Sequence, residues 1–525
     1  MPRPYIDISF GVSPDMADKV LLGIDIGTSG SKALLVDPDG NVLASATGDY
    51  PMFTPRPLWA EQNPQDWWSA TVLAIRKALQ SAGVRPEQVA GLGLTGQMHG
   101  LVLLDNKGEV LRPCIMWNDQ RTGAQCEAIT ERIGSKKLLQ LIANPVLPGF
   151  TAPKIVWVRE HEPDVYGRIA HVLLPKDYIR YRLTGALATE VSDASGTALL
   201  NVEGRKWSEE MLAALDIPAG WLPECHESPV PTAAISPQAA GETGLKVSTP
   251  VVGGGGDQAA QAVGSGIIEQ GTISVTLGTS GVVFAATDRF LLEPEGRLHA
   301  FCHAVPGQWH LMGVMLSAAG SLRWYRDVLG QAEMAKAGAR GIDVYDVLCQ
   351  QAASAPAGSE GLIFLPYLSG ERTPYPDPDA RGVYFGLTLR HGKEHMVRAV
   401  LEGVTYGLRD SLELMRNMGV EIKQVRASGG GAKSPLWRQI LADVFNSEIV
   451  LTNVTEGAAF GAALLAGVGA GVYEDVREAC GRTIRVTDRV EPGADVSIYE
   501  DYYSIYRDLY PTLAPYFKRV SAIIS

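Results

Sequence analysis

An aspartate at the end of a glycine run is the residue of this chain whose setting most suggests chemistry. Asp257 follows four consecutive glycines at residues 253–256, and two β-branched residues, Val251 and Val252, precede them. Ordered glycines cost backbone entropy, so a run this dense indicates that the main chain approaches another group closely beside the acid. We therefore predict that Asp257 is a catalytic base. A mobile surface turn is the alternative interpretation of the same letters.

The letters GTSG occur twice, each time after a strand-like run. The first copy occupies residues 27–30 after a run at 21–26, and the second occupies residues 278–281 after a run at 272–276. The two strand-and-loop units lie about half the chain apart. This repeat favours a functional site over an incidental loop.

The first GTSG loop carries groups that suit a phosphate. The backbone amides and hydroxyls of Thr28, Ser29 and Gly30 could surround a phosphate, and Lys32 would supply positive charge. The spacing is not that of a P-loop. Asp25 points from the end of the preceding strand toward the same place, and a carboxylate beside a phosphate requires a cation between them. We therefore predict Mg²⁺ at Asp25, bound directly or through water; the alternative is that Asp25 only caps the turn.

Two polar segments interrupt apolar runs and could face a ligand. TGQMHG at residues 95–100 lies between strand-like runs, where polar side chains must face a cavity or be paired. His99 in this segment could equally be a structural histidine. MWNDQR at residues 116–121 places Trp117 and Asn118 beside an acid and a guanidinium group. This mixture suits a polyhydroxylated ligand, whose apolar face an indole can cover, but it also suits a loop that hydrogen-bonds to itself.

A third glycine-rich loop, SGGGAKSP at residues 428–435, leads into a helix. A glycine loop at the start of a helix allows the ribose, adenine or phosphate of a nucleotide to approach the main chain. We therefore predict nucleotide contacts in this loop.

Periodicity predicts the elements that must position these groups. Residues 20–46 have the pattern of two strands joined by the GTSG loop, with a third strand after the turn at 37–41. Helices are predicted after Asn63, near Pro153, after Pro435 and across residues 396–408, where apolar residues recur at helical spacing. The uncharged run at 457–473 falls short of a membrane span and predicts a closely packed buried helix.

A chain of 525 residues is long enough for about two to four domains. The Pro-rich stretch from about 200 to 245 predicts a boundary, which divides the chain into a loose extension at 1–19, a first lobe at 20–245 and a second lobe at 246–525.

The formal net charge of -12, with no long basic run, argues against a nucleic-acid partner. Six cysteines without metal-ligand spacing indicate reduced thiols in a cytoplasmic protein, and the N-terminal residues lack the apolar core of a signal peptide. No membrane partner is expected.

Together these segments resemble the FGGY family of carbohydrate kinases, within the sugar-kinase, actin and Hsp70 superfamily, from about residue 21 to residue 513. The segments that carry the resemblance are DIGTSGSK at 25–32, GQMHG at 96–100, WND at 117–119, GFTAPKIVWVREH at 149–161, LLPKDYIRYRLTG at 173–185, SDASGT at 192–197, GGGDQ at 254–258, TLGTSG at 276–281, LPYLSGERTP at 365–374 and GGGAKS at 429–434. The resemblance implies an α/β fold of two ribonuclease-H-like lobes, each a mixed five-stranded sheet flanked by helices, with a cleft between them.

The resemblance also implies ATP-dependent phosphorylation of a sugar, with Mg²⁺. It makes Asp257 the base for the sugar hydroxyl and makes Asp25 and Asp257 the acids at the metal. The other residues that it assigns are Gln97, Met98, His99, Trp117, Asn118 and Gln258 to the sugar pocket, Thr28, Ser29, Gly30, Lys32, Gly278 and Thr279 to the phosphates, and Gly430, Gly431 and Ala432 to the adenosine. It is compatible with a homodimer.

Within the family, the GFTAPK and GQMHG segments favour D-xylulose as the acceptor, phosphorylated to D-xylulose 5-phosphate in pentose catabolism. Gln258 weakens this preference, because many members that act on xylulose carry Asn at that position and members that act on glycerol carry Gln. Another ketose or polyol, such as ribulose, ribitol or glycerol, is therefore the first alternative. The second is an ATP-driven conformational machine of the actin or Hsp70 kind, which would need no acceptor pocket; the GQMHG and WND segments argue against it.

Overall fold

The computed structural model of the protein describes residues 19–524. The N-terminal extension predicted at residues 1–19 therefore lies outside the described residues, except for Lys19.

The described residues form strands and α-helices throughout. The strands are β1 (Val20–Ile26), β2 (Gly30–Val36), β3 (Val42–Asp49), β4 (Glu61–Gln62), β5 (Val89–Gly96), β6 (Val102–Leu104), β7 (Cys114–Ile115), β8 (His171–Leu173), β9 (Ala188–Glu190), β10 (Leu200–Asn201), β11 (Lys206–Trp207), β12 (Glu224–His226), β13 (Pro231–Ala234), β14 (Pro250–Val252), β15 (Gly255–Gly256), β16 (Gly271–Leu277), β17 (Gly281–Thr287), β18 (His299–Cys302), β19 (Trp309–Met315), β20 (Ile363–Leu365), β21 (Val383–Phe385), β22 (Ile422–Ser428), β23 (Glu448–Thr452) and β24 (Val486–Val490). The helices are α1 (Pro64–Ala82), α2 (Gly123–Ile133), α3 (Ser135–Ile142), α4 (Thr151–His161), α5 (Pro163–Tyr166), α6 (Pro175–Thr184), α7 (Val191–Ala194), α8 (Glu209–Leu215), α9 (Pro237–Thr243), α10 (Asp257–Gly264), α11 (Ala319–Leu329), α12 (Gln331–Arg340), α13 (Val344–Ala352), α14 (Lys393–Asn417), α15 (Pro435–Phe445), α16 (Gly457–Gly469), α17 (Val476–Thr483) and α18 (Val496–Ile524).

The first large sheet is built around the predicted hairpin. Its strands follow the order β13-β14-β5-β1-β2-β3, and the short β15 also pairs with β5. β1 runs parallel to β5 and β5 runs parallel to β14, whereas β1, β2 and β3 are antiparallel neighbours. The prediction of two strands joined by a GTSG loop and followed by a third strand is therefore confirmed.

The second large sheet repeats this arrangement, in the order β18-β19-β17-β16-β22-β23-β24. β16 runs parallel to β22, which runs parallel to β23, whereas β16, β17 and β19 are antiparallel neighbours. The second GTSG loop joins β16 to β17 as the first joins β1 to β2. The prediction of five strands in each sheet is wrong, because β13 and β15 extend the first sheet to seven strands and β18 and β24 extend the second to seven.

The predicted helices are present, and the side chains of Asn63 and Ser434 cap the starts of α1 and α15. The Asn63 side chain accepts a hydrogen bond from the Gln65 amide at the start of α1, and Pro64 occupies the first helical position, where a missing N–H costs nothing. α4 contains Pro153, α15 follows Ser434, and α14 spans the apolar stripe at 396–408. Between residues 19 and 524, no helix is long and apolar enough to cross a membrane.

Helix α16 confirms the buried helix predicted for the uncharged run and joins the two halves of the chain. It packs against β1, β5 and α10, and its Phe460 and Leu464 share one hydrophobic cluster with Leu21 and Val252 of the first sheet. A helix from the C-terminal half thus covers the sheet of the N-terminal half.

The contacts of α16 are made by main chain as well as by side chains. A Cβ added at Gly23 of β1 would lie 1.9 Å from the Ala459 carbonyl oxygen, and one added at Gly461 would lie 1.8 Å from the Ala260 carbonyl oxygen in α10. Only glycine allows the backbones to approach this closely. The backbone of α16 therefore rests directly on both β1 and α10.

The boundary predicted at residues 245 and 246 falls within the first sheet. β13 and β14, which flank it, pair with each other, and β15 pairs with β5 further along the chain. We therefore propose that the first lobe ends after α10, at Gly264.

Candidate active site

The structure brings the two predicted acids together at one edge of the first sheet. Asp25 is the penultimate residue of β1 and lies opposite Thr95 of the parallel strand β5. Asp257 opens α10 directly after β15, whose Gly256 lies opposite Gly96, the last residue of β5. Because parallel strands end at the same edge of a sheet, both carboxyl groups lie at this edge.

The electrostatic setting of these acids disfavours the loss of their protons. Burial raises the pKa of Asp25 to about 6, although the positive charge of Lys32 opposes the rise. Burial also raises the pKa of Asp257 to about 7, and the negative charge of Asp25 contributes to this rise, while hydrogen bonds from Gln258 oppose it. The two groups therefore repel each other when both are ionised.

This pair of acids fits a cation. Asp25 Oδ1 is buried and has no hydrogen-bond partner, which a role as a turn cap does not explain. Within residues 19–524, no cluster of three or more His, Cys, Asp or Glu side chains could hold a metal by itself. Phosphate oxygens and water would have to complete the coordination, which is the usual arrangement for Mg²⁺.

We expect the Asp257→Asn variant to be more stable than the unaltered protein at pH 8 when neither carries a ligand. An acid whose pKa is raised on folding favours the folded state at low pH, and this contribution is lost as the pH rises from the unfolded value of 3.8 to the folded value of about 7. The shift corresponds to roughly 4 kcal/mol at most. The thermal midpoint of the variant should exceed that of the unaltered protein by several degrees at pH 8 and by less at pH 5.

Asp105 offers a control of opposite sign for this stability measurement. Hydrogen bonds from the backbone amides of Glu109 and Lys107 lower the pKa of this half-buried carboxyl. Its stabilising contribution is present above the unfolded pKa and lost as the pH falls, so Asp105→Asn should lower the midpoint at pH 8. The difference in thermal midpoint between Asp257→Asn and the unaltered protein should grow with pH. A difference that did not grow would contradict the conclusion that burial and the charge of Asp25 raise the pKa of Asp257.

The first GTSG loop is held in shape by residues that the sequence did not indicate. The Tyr50 hydroxyl donates to the Gly27 carbonyl oxygen at 2.6 Å, and Gln62 Nε2 donates to the Thr28 carbonyl oxygen at 2.7 Å. These bonds occupy carbonyl oxygens of the loop, as a loop that presents its amides to an anion requires. Neither residue lies in a motif, and only their position across the fold shows this role.

Lys32 has a partner that was not predicted. Its Nζ lies 2.8 Å from Glu456 Oε2, and both side chains are partly exposed. Glu456 directly precedes α16, so the pair connects the first hairpin to the C-terminal half of the chain. A phosphate at the first loop would compete with Glu456 for the Lys32 ammonium group.

A cavity of about 420 Å³ lies beside the second GTSG loop and the third glycine loop. It is lined by the predicted Gly278, Thr279, Gly430 and Gly431, whereas Ala432 is buried and does not line it. Leu277, Lys433 and Ser434, which lie in the TLGTSG and GGGAKS segments, also line it. The lining residues that the sequence did not indicate are Ala319, Gly320, Leu322, Arg323, Asp343, Tyr345, Asp346, Cys349 and Trp437. Those at 343–349 belong to α13 and its cap, a segment that contains no recognisable motif.

His99 has features of both roles that the sequence left open, a structural histidine and a residue that faces a ligand. Its φ of +70° is in the left-handed region, its ring stacks on Phe150 with centroids 4.7 Å apart, and its Nδ1 lies 2.6 Å from the Gly196 carbonyl oxygen. Burial lowers its pKa to about 3, so the imidazole is neutral. Nδ1 must then carry the hydrogen that is donated to Gly196, which leaves Nε2 as an acceptor.

The neighbours of His99 occupy different positions relative to Asp257. Met98 packs against Gly256, where an added Cβ would lie 3.0 Å from Met98 Cγ, so this side chain adjoins the residue before Asp257. Gln97 is buried, and its Nε2 donates to Gln62 Oε1 at 3.1 Å, while its own Oε1 has no partner. The segment therefore lies beside the loop of Asp257.

The polar segment at 116–121 divides into two parts. The Trp117 indole N–H donates to Thr28 Oγ1 at 3.1 Å although the side chain is 42% exposed, and Asn118 Oδ1 is buried without a partner. Asp119, by contrast, accepts hydrogen bonds from the Ala60 amide and from Arg121. Trp117 and Asn118 are thus available near the first loop, whereas the acid and the guanidinium group bind each other.

Arg372 is a further charged group near the predicted sugar residues. The Glu371 side chain accepts hydrogen bonds from the backbone amides of Leu316 and Arg372, while the Arg372 side chain is exposed. Its positive charge contributes to the low pKa of both His99 and His299. Arg372 lies in the segment LPYLSGERTP, whose residue types and spacing do not distinguish this arginine from its neighbours.

Two family models match the chain in sequence. Residues 20–264 match the N-terminal domain of the FGGY family of carbohydrate kinases, and residues 273–470 match the C-terminal domain of the same family.

Individual relatives cover almost the whole chain. The xylulose kinase of Escherichia coli (strain K12) is 41% identical over 495 residues, which are 94% of this chain and 99% of that protein. A gluconokinase of Bacillus subtilis (strain 168) is 34% identical over 477 residues, which are 89% of this chain and 91% of that protein. A crystal structure described as a "xyloylose kinase" from Brucella ovis is 40% identical, has a TM-score of 0.87, and covers 94% of this chain and 99% of that chain.

Proposed function

The chain belongs to the FGGY family of carbohydrate kinases, and we propose that it transfers the γ-phosphoryl group of ATP to D-xylulose, giving D-xylulose 5-phosphate. The similarity to xylulose kinases over more than nine tenths of the chain is the observation that carries this choice of sugar. The arrangement of two acids, two GTSG loops and a cavity supports the choice of reaction.

On the acceptor side, we propose that Asp257 accepts the proton of the sugar hydroxyl. Its carboxylate would orient the C5 hydroxyl and accept its proton late in the transfer, and a pKa of about 7 is close to the pH at which a base works best. Met98 and the Nε2 atom of His99 would contact the sugar, and Gln97, Trp117, Asn118 and Gln258 complete the proposed pocket. The general-base contribution is about 10² to 10⁴-fold.

On the donor side, the two GTSG loops would hold the phosphates. Amides and hydroxyls of Thr28, Ser29 and Gly30 face the transferred group from one lobe, and Gly278 and Thr279 face it from the other. Lys32 would exchange its ion pair with Glu456 for the phosphate. Gly430 and Gly431 would adjoin the adenosine, and Ala432 would support them from behind. Because the transition state of phosphoryl transfer is loose, positioning and neutralisation of charge by these groups supply most of the rate.

Mg²⁺ bound with ATP would neutralise charge on the phosphate oxygens. Asp25 is the residue that we propose to hold it, with Asp257 as the second acid, because Asp25 Oδ1 is buried and lacks a partner. The ion would also offset the repulsion between the two carboxyl groups.

Water competes with the sugar for the phosphoryl group. We propose that the lobes close over the bound sugar and exclude bulk water, as in other kinases whose site lies in a cleft. Hydrolysis of ATP without sugar should then be slow relative to transfer.

We expect D-xylulose to be phosphorylated at O5 in preference to D-ribulose, ribitol, glycerol and gluconate. Met98 and His99 would recognise the sugar beside Asp257, and gluconate is included because of the gluconokinase relative. The measurement is kcat/KM for each acceptor in a coupled ADP-release assay at saturating Mg²⁺ and ATP. An acceptor that matched or exceeded D-xylulose would overturn the proposed substrate and leave the kinase assignment in place.

The same assay separates a kinase from an ATP-driven conformational machine. A kinase should turn over ATP in proportion to the sugar phosphate formed, whereas a machine would hydrolyse ATP regardless of the sugar.

A cytoplasmic location and a homodimer remain predictions from the sequence, and sedimentation of the purified protein would test the second.

A further inference from the structure

A group of fully buried charged residues lies beneath the loop that carries Asp257. It consists of Lys176, Asp177 and Arg180 of α6 with Glu190 and Asp193, each at most 1% exposed. We call these five residues the buried cluster. Lys176, Asp177 and Arg180 belong to the segment LLPKDYIRYRLTG and Asp193 belongs to SDASGT, while Glu190 lies two residues before SDASGT. The proposed reaction assigns no role to either segment.

The members of the cluster hold one another by ion pairs. Lys176 Nζ lies 2.7 Å from Asp177 Oδ1, 3.2 Å from Asp193 Oδ2 and 3.5 Å from Glu190 Oε1. Arg180 Nη2 lies 3.5 Å from Asp177 Oδ1. Charges removed from water are tolerated when they are paired in this way, and removal of one partner is costly.

The charges of the cluster can balance. Two cations face three acids, and burial, together with the neighbouring acids Asp177 and Glu190, raises the pKa of Asp193 well above its ordinary value, although Lys176 opposes the rise. With the proton on Asp193, two positive charges meet two negative charges. A neutral cluster can remain buried as a rigid support.

The cluster is connected to both ends of the glycine run. Arg180 Nη2 donates to the Gly253 carbonyl oxygen. At the other end, Ser192 Oγ accepts a hydrogen bond from the Gly256 amide at 3.1 Å, one residue before Asp257. The glycine run is therefore fixed at its first and last residues.

Ser192 is itself held by the cluster. Its amide donates to Glu190 Oε2 at 2.7 Å and its hydroxyl donates to Glu190 Oε1 at 3.0 Å. Because the hydroxyl hydrogen is used by Glu190, the oxygen is left as an acceptor for Gly256. The orientation of this one hydroxyl thus depends on a carboxylate that Lys176 holds in place.

The same short segment also touches the proposed sugar residues. The Gly196 carbonyl oxygen accepts the hydrogen bond from His99 Nδ1, and a Cβ added at Gly196 would lie 2.5 Å from the His99 ring and 3.0 Å from Met98 Cε. Residues 192–196 therefore contact the backbone beside Asp257 and the side chain of His99 at once.

We propose that Ser192 is a positioning residue for Asp257, which it aligns with the acceptor hydroxyl by fixing the Gly256 amide. This inference rests on the proposed role of Asp257 as the base. Ser192 is fully buried and its hydroxyl is bonded to Glu190 and Gly256, so its effect should fall on turnover and not on binding of the sugar.

Ser192→Ala and Ser228→Ala form a matched pair for the test. Both serines are fully buried, and both hydroxyls donate to Glu190, Ser228 to Oε2 at 2.9 Å. Only the Ser192 hydroxyl reaches the glycine run. Ser228→Ala thus reproduces the loss of a buried hydrogen bond to the same carboxylate without the loss of the contact to Gly256.

Two readouts should separate the pair. In Ser192→Ala we expect kcat with D-xylulose to fall by about tenfold or more, since a small misplacement of a reacting group is costly, while the Kd of D-xylulose by calorimetry changes by less than about twofold. Hydrogen exchange should accelerate in the peptide that spans residues 252–258. In Ser228→Ala neither kcat nor the exchange rate of residues 252–258 should change beyond about twofold.

Equal effects of the two variants on kcat, or faster exchange at 252–258 without a loss of kcat, would overturn the proposal. If Ser192→Ala does not fold, Ser192→Cys serves instead, because a thiol is a poor acceptor of nearly the same shape. The exchange measurement needs no substrate. An unaltered protein that failed to phosphorylate D-xylulose would contradict the proposed function, while the exchange pattern would still report on Ser192.

Discussion

Asp257→Asn should lower kcat by about 10² or more, with little change in the affinity for D-xylulose. Asparagine preserves the shape and most hydrogen bonds of the side chain but cannot accept a proton, so the loss should fall on the chemical step. Loss of one negative charge beside the γ-phosphate should also tighten ATP slightly. The glycine run should still form, because its contacts to Arg180 and Ser192 are made by backbone atoms of the run.

Steady-state turnover and calorimetric binding of D-xylulose, on the same preparation, measure this effect. Asp410→Asn is a matched control, because burial raises the pKa of Asp410 to about 7 as well, but Asp410 lies in α14 and accepts a hydrogen bond from Tyr503 of α18. The control should keep its turnover. Near-normal turnover of Asp257→Asn would remove this residue from the chemistry, and abolished sugar binding would make it mainly a binding residue.

Asp25→Asn should also reduce activity severely, by about 10² or more, because the charge that a metal supplies to phosphoryl transfer is worth several kcal/mol. Its thermal midpoint should stay within a few degrees of the unaltered protein or rise above it. Asp25 Oδ1 has no hydrogen-bond partner, so replacing the carboxyl group with an amide removes no hydrogen bond at this atom. Burial raises the pKa of Asp25 to about 6, so removing this acid should not destabilise the fold at neutral pH.

A titration of activity with Mg²⁺ distinguishes a metal role from a structural one. If Asp25 holds the ion, the variant should need a higher Mg²⁺ concentration for half-maximal rate, while the Kd of D-xylulose in the absence of ATP stays unchanged. A midpoint that fell in proportion to activity, with an unaltered Mg²⁺ requirement, would support the role of a turn cap instead.

Local patterns predicted the elements that carry the site. The β1–β2 hairpin, the second GTSG loop and the buried α16 could be found because each depends on residues within a few positions of one another, through alternation, turn residues or an unbroken apolar run. The neighbourhood of Asp25 and Asp257 followed only from the resemblance and the repeat, since 232 residues separate them by their numbers.

What the sequence did not reveal depends on contacts between distant parts of the chain. Lys32 is predicted to bind phosphate, but its ion pair with Glu456 could not be predicted, because the two residues lie 424 positions apart in the sequence. The contribution of Tyr345 and Cys349 to the cavity depends on where α13 packs. The edge strand β24 was missed because most of its side chains are exposed on both faces, so they show no alternation to detect.

The division of MWNDQR illustrates a related limit. Residue types indicate two possibilities, a ligand surface and a self-bonded loop. In the structure, Asp119 and Arg121 bond to each other, while Trp117 lies near Thr28. Composition alone gives no direction for a side chain, and direction decides between these possibilities.

The backbone contacts of α16 have a consequence for anyone who wishes to alter the acceptor range. Gly23 lies two residues before Asp25, and the Ala260 carbonyl that meets Gly461 lies three residues after Asp257. Side chains in a core can change rotamer to absorb a substitution, but two main chains in contact have no such freedom. Widening the pocket for a longer sugar through these core positions should therefore displace the two acids relative to each other. Variation at Met98 and around His99, where side chains would form the boundary of the proposed sugar pocket, is the route that should leave the spacing of the two acids intact.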